Sequence, residues 1–238
     1  MKKRFENGYG KAMTGVFHAV NPIKKRIMKT NCTVHKFIVI QAVEILKNDG
    51  YLEEYNFFKK YVKNMNEGVT WADQDFKSSN HFYYSEKGRG LYGFSNALTE
   101  CNKYYKKGLN FYKAGDTAKA MFFFGASSHL IQDATVPHHG NNKLLKSHRK
   151  FELWIISKLM SDYSFAATSG LVKYETVDDY IINNANMANR TLSEYINIQD
   201  REERYSSIAV KILKEAQITT AGLMLNFYND IKKQKNLP

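Results

Sequence analysis

The chain has 238 residues, 43% of them hydrophobic, and a formal net charge of +12. That length can bury one large core, and three prolines and two cysteines exclude a disulfide-framed or linker-rich protein. No apolar run approaches the roughly 18–20 residues that cross a bilayer; the longest candidate, Phe37 to Leu46, contains Gln41 and Glu44 and reads as a buried helix.

Residues 1–30 set Lys2, Lys3, Arg4, Lys11, Lys24, Lys25, Arg26 and Lys29 against one acid, Glu6. Such a segment suits anionic surfaces, phospholipid headgroups or nucleic acid, and suits a solvated basic tail equally well. Met1-Lys-Lys-Arg-Phe has the basic start of a signal peptide, but Glu6, Asn7 and Lys11 break the apolar stretch that should follow.

From Cys32 onward the periodicity is helical. Helices are predicted over Cys32–Asn48, with an apolar stripe of Phe37, Ile38, Ile40, Val43 and Leu46 and a stop at Asn48-Asp49-Gly50, and over Tyr51–Asn64. Residues 66–95, rich in Asn, Ser, Gly and aromatics, read as a long ordered loop of the kind that carries function. Further helices are predicted over Ser95–Ala114, from a cap at Asp116 through Phe122-Phe-Phe to His129, and over Ser147–Tyr163, Val177–Asn189 and Ser206–Lys233. Leu192–Tyr195 reads as a short separate helix between the last two. The fold class is all-α, in a single domain.

The chemistry concentrates in His129-Leu-Ile-Gln-Asp133-Ala-Thr-Val-Pro137-His138-His139. On a helix, His129 and Asp133 leave the same face. Pro137 forces a bend that presents His139 from another direction. His148 and Glu152 repeat the spacing, and the predicted loop adds Asp73 and His81. Imidazoles and carboxylates gathered this way form a donor set suited to zinc, at roughly 2.0–2.2 Å. His138 and His18 are not read as ligands, and Phe122-Phe-Phe reads as core. Phe82, Tyr83, Tyr84, Tyr92 and Phe94 read either as loop packing or as a wall for a quaternary ammonium group.

The motif His129-x-x-x-Asp133-x-x-x-Pro137-x-His139-x-x-Asn142 resembles the signature of the bacterial zinc-dependent phospholipases C. The likeness extends to Val34-His35-Lys-Phe-Ile-Val-Ile-Gln-Ala-Val-Glu-Ile-Leu, Trp71-Ala72-Asp73, Asn80-His81-Phe82-Tyr83, His148-x-x-x-Glu152 and Ala216-Gln-Ile-Thr-Thr-Ala-Gly222, the last resembling the start of the family's closing helix. The resemblance implies an all-helical domain over 31–238, with 1–30 as a basic extension. It implies zinc ligation by Asp73, His81, His129 and Asp133, a second site of His139, His148 and Glu152, and a third of His35 with Asp133 as a bridge. Asp73 is implied as general base in hydrolysis of glycerophospholipids to diacylglycerol and a phosphorylated headgroup.

In that family an N-terminal tryptophan completes the third site, whereas here the two tryptophans are Trp71 and Trp154. The expectation is therefore two or three zinc ions. The third site is empty, weak, blocked by an extension that is later cut, or completed by another group such as Cys32, which otherwise reads as an ordinary buried residue. The substrate is expected to be a phospholipid at a membrane surface, met by a monomer that is secreted or membrane-associated. The sequence ends at Pro238 without a C-terminal lipid-binding module, which leads us to expect modest lipase activity rather than strong haemolysis. Two alternatives are a single-strand nuclease, which the basic charge suits, and a non-catalytic relative that binds membrane or a partner.

Overall fold

The protein's structure is a computed structural model, which describes residues 32–74, 97–137, 145–159, 161 and 165–235. Among these residues the regular elements are helices: α1 Thr33–Asn48, α2 Leu52–Lys59, α3 Val62–Ala72, α4 Ala97–Lys113, α5 Thr117–Asp133, α6 Leu145–Leu159, α7 Val177–Tyr195 and α8 Arg201–Lys235. None is long and apolar enough to cross a membrane. The all-α expectation holds.

Helix α5 lies at the centre, with α3 and α4 packed along it and α7 and α8 behind. Every residue from Gly125 to Asp133 is buried, so the helix has no solvent face there. A helix enclosed on all sides is usually apolar, yet this one carries Ser127, Ser128, His129, Gln132 and Asp133. Each brings polar atoms that need partners in the interior: Ser127 and Ser128 bond to the Cys101 and Phe124 carbonyls, while His129, Gln132 and Asp133 face the site. The Asp116 cap forms as predicted, with its carboxylate accepting from the Lys119 backbone N–H at 3.0 Å.

The main core joins α1, α2, α3, α4, α5 and α8 around Phe58, Met65, Phe124 and Phe227. A smaller cluster of Ile38, Phe151, Ile155, Ile212 and Leu213 ties α1 and α6 to α8. Phe124 is fully buried, as its core reading requires, whereas Phe122 and Phe123 are half-buried against Trp71.

Four expectations need correction. The helix predicted over Tyr51–Asn64 is two helices, α2 and α3, separated at Lys60 and Tyr61. The loop predicted from residue 66 is helical through Ala72, because Met65, Gly68, Val69 and Ala72 form a buried face at helical spacing against α5. In α1, Ile40 is 44% exposed, and Val39, Ala42 and Ile45 take the core side. The closing helix begins at Arg201 rather than at Ser206 or near Ala216, since Asp200 caps it by accepting from the Glu203 N–H at 2.7 Å. Similarly, α7 runs unbroken through Leu192–Tyr195, from a capping box of Thr176 and Asp179.

Glycine at positions 68 and 125 is what lets α3 lie on α5. A Cβ on Gly68 would stand 1.9 Å from the Phe122 carbonyl oxygen, and one on Gly125 would stand 2.2 Å from the Met65 carbonyl oxygen. The two helices therefore touch backbone to backbone, and the contact fixes the end of α3, where Asp73 sits, against the helix that carries His129 and Asp133.

Both cysteines are free and buried. Burial pushes the Cys101 thiol up to about 12 and the Cys32 thiol higher still, with the Asp73 charge adding to it. Thiolate is the reactive form, so the native protein should be almost inert to an aromatic disulfide reagent and release two thiols only after denaturation. Rapid stoichiometric labelling of the folded chain would contradict this packing.

Candidate metal centre

Helix α5 supplies two donors one turn apart. His129 is fully buried, and its Nε2 lies 3.1 Å from Asp133 Oδ2. The third donor comes from α1: His35 Nε2 lies 3.4 Å from Asp133 Oδ1. The two carboxylate oxygens thus face different imidazoles, whose ring centroids are 4.2 Å apart. One ligand atom from each of His35, His129 and Asp133 falls within 4.8 Å of the others. Two imidazoles and a carboxylate, two of the three buried and His35 partly so, are a fitting donor set for zinc.

The electrostatics favour ligation. Burial holds the His35 imidazole below its usual pKa, and the neighbouring His129 adds to that, so at neutral pH the ring is uncharged and keeps a lone pair for a metal. The other nitrogen of His35, Nδ1, is 2.8 Å from Gln132 Oε1. Gln132 was missed in the sequence, although its place three residues after His129 puts it on the ligand face of α5.

Asp73 sits just past the last residue of α3, as the C-terminal cap of that helix. It is not in the three-residue cluster, but its charge reaches His35. The Cys32 thiol donates toward Asp73 Oδ2 at 3.4 Å and the Val69 carbonyl at 3.7 Å. The sulfur is turned to the end of α3, in keeping with the buried-residue alternative for Cys32. Its backbone holds φ 82, an uncommon left-handed conformation for a non-glycine residue. An open groove of about 610 Å³ adjoins this end of the molecule, with Lys36, Lys63, Trp71 and Gln74 in its wall.

Of the remaining sequence-predicted ligands, Glu152 is exposed on α6, outside the cluster. His148 falls on α6, but its side chain lies outside the described set, as do His81, His139, Asn142 and the aromatics from Phe82 to Phe94.

An all-α domain with a converging His–His–Asp group is thus the class that fold and site define. Residues 34–207 match the family model for zinc-dependent phospholipase C. The phospholipase C of Clostridium haemolyticum is 24% identical over 233 aligned positions, covering 83% of this chain and 58% of that protein. The phospholipase C of Clostridium novyi is likewise 24% identical, covering 86% of this chain and 61% of that one. Among solved structures, the alpha toxin from Clostridium absonum superposes with a TM-score of 0.73 at 17% identity, over 86% of this chain and 65% of that one. The Clostridium perfringens alpha toxin from an avian strain gives a TM-score of 0.72 at 18% identity. The chain belongs to the zinc-dependent phospholipase C family, and it spans about three-fifths of the length of the curated relatives it matches.

Proposed function

We propose that the chain hydrolyses the glycerol-side phosphodiester bond of glycerophospholipids at a membrane surface, giving diacylglycerol and a phosphorylated headgroup. The observation that carries the reading is the converging His35–His129–Asp133 group in a chain of this family. We assign Asp73, His81, His129 and Asp133 to one zinc, His139, His148 and Glu152 to a second, and His35 with Asp133 to a third, so that two or three ions are held. The two oxygens of Asp133, each facing a different imidazole, suit a shared ligand. Bound zinc supplies positive charge for the phosphodiester oxygens and lowers the pKa of coordinated water.

The chain's own residues do the rest. Asp73 is the general base that orients the attacking water and takes its proton, and the thiol of Cys32 steadies its carboxylate. Lys36 and Lys63 outnumber Glu67 along the groove, a net positive approach for a phosphate-bearing substrate, and the net charge of +12 draws the protein to anionic surfaces. We read 31–238 as the catalytic domain, 1–30 as a basic extension, and the working protein as a secreted or membrane-associated monomer.

The test is release of phosphorylated headgroup from phosphatidylcholine, phosphatidylethanolamine and phosphatidylglycerol vesicles by the zinc-loaded chain. Activity should disappear with chelator, and Asp73→Asn should lower the rate by about 10²–10⁴-fold, the range for loss of a general base. Cleavage of single-stranded DNA with no headgroup release would assign the site to a nuclease instead. A zinc-loaded chain that binds vesicles and cleaves neither substrate would make it a non-catalytic relative.

A further inference from the structure

Gln132 is buried at 1% exposure between two helices it joins by its side chain. Its Oε1 is 2.8 Å from His35 Nδ1 on α1, and its Nε2 donates to Thr220 Oγ1 on α8 at 3.3 Å. Thr220 is itself fully buried. The amide is therefore held at both ends, with its NH₂ on the Thr220 hydroxyl and its carbonyl on the imidazole. A carbonyl can only accept, and Gln132 Oε1 at 2.8 Å from Nδ1 is closer than the other acceptor, Asp133 Oδ1 at 3.4 Å from Nε2, so the proton of a neutral His35 goes to Nδ1. That leaves the Nε2 lone pair aimed at Asp133, the side on which the donor atoms converge.

We propose that Gln132 is the positioning residue for His35, fixing its tautomer and ring plane so that Nε2 is ready to bind a metal, with Thr220 locking the amide. The proposal rests on the reading of His35 as a ligand. Groups that hold the outer nitrogen of a ligating histidine typically change metal affinity by about 10–100-fold when removed.

The experiment is nitrogen-15 NMR of the histidine side chains together with zinc affinity by chelator competition, on the full chain. In the metal-free wild type, His35 should show a protonated Nδ1 and an unprotonated Nε2. Gln132→Met, which keeps the length and removes both polar atoms, should lose that single tautomer and bind zinc about 10–100-fold more weakly. Gln132→Glu, which keeps an acceptor, should restore Nδ1 protonation. If Gln132→Met fails to fold by circular dichroism, Thr220→Val provides the same test, with a several-fold loss expected. A wild-type His35 protonated on Nε2, or a tautomer and zinc affinity unmoved in the folded variant, would overturn the proposal. His35→Ala separates the two ideas: unchanged zinc binding there removes His35 from the ligand set, while the imidazole shifts still decide the role of Gln132.

Discussion

Gly125→Ala is expected to destabilise the protein by about 3 kcal/mol, at the upper end of the cost of overpacking a core. The clash at 2.2 Å is with the Met65 carbonyl, a backbone atom that no side-chain rotation can move aside. Gly68→Ala should behave alike, because its Cβ would meet the Phe122 carbonyl at 1.9 Å. The sign is decisive: helix propensity alone makes Gly→Ala stabilising by about 1 kcal/mol, so the two effects oppose each other and the contact must win. For a chain of this size the shift in Tm is about 2–4 °C per kcal/mol, and thermal and urea unfolding would both register it. A stabilised Gly125→Ala protein would mean that α3 and α5 do not touch through their backbones. Because Asp73 caps α3 and the proposed ligands His129 and Asp133 lie on α5, we also expect weakened zinc binding in any fraction of the variant that folds.

Asp133→Ala should have the largest effect on the site. Its two oxygens face His129 and His35 at 3.1 and 3.4 Å, so one substitution removes a donor shared by both imidazoles. Loss of a direct ligand should exceed the 10–100-fold effect typical of outer groups, and we expect zinc affinity to fall by at least about 10³-fold and hydrolysis to fall to background. Isothermal titration with zinc on chelator-stripped protein measures the first, and vesicle hydrolysis the second. Tight zinc binding retained by a folded Asp133→Ala chain would place the metal elsewhere.

Much of this architecture was legible from residue spacing. The Asp116 cap and the apolar run behind it announce α5, and the spacing of His129 and Asp133 puts both proposed ligands on one face. The stop at Asn48-Asp49-Gly50 likewise ended α1 where expected. What misled was composition. Asn66, Gly68 and Thr70 look like loop residues, yet they lie on α3, where Gly68 is required by the close approach of α5 rather than by a turn. Tertiary contact overrode local propensity there, and no single-chain pattern discloses which glycine meets another helix's backbone. Joining His35 to α5 depended on the packing of helices distant in sequence. The resemblance suggested it, and the geometry supplies its physical form. Gln132 fell between the two: its register on the ligand face could be read from the sequence, whereas its hydrogen bond to His35 could not.

The most direct test of the central claim is the zinc content per chain, by plasma mass spectrometry, of protein purified without chelator, for the wild type and His35→Ala. Two or three zinc ions are expected in the wild type, with a loss on substitution because His35 contributes one of the three converging donors. Folded protein that carries no metal in either form would contradict it.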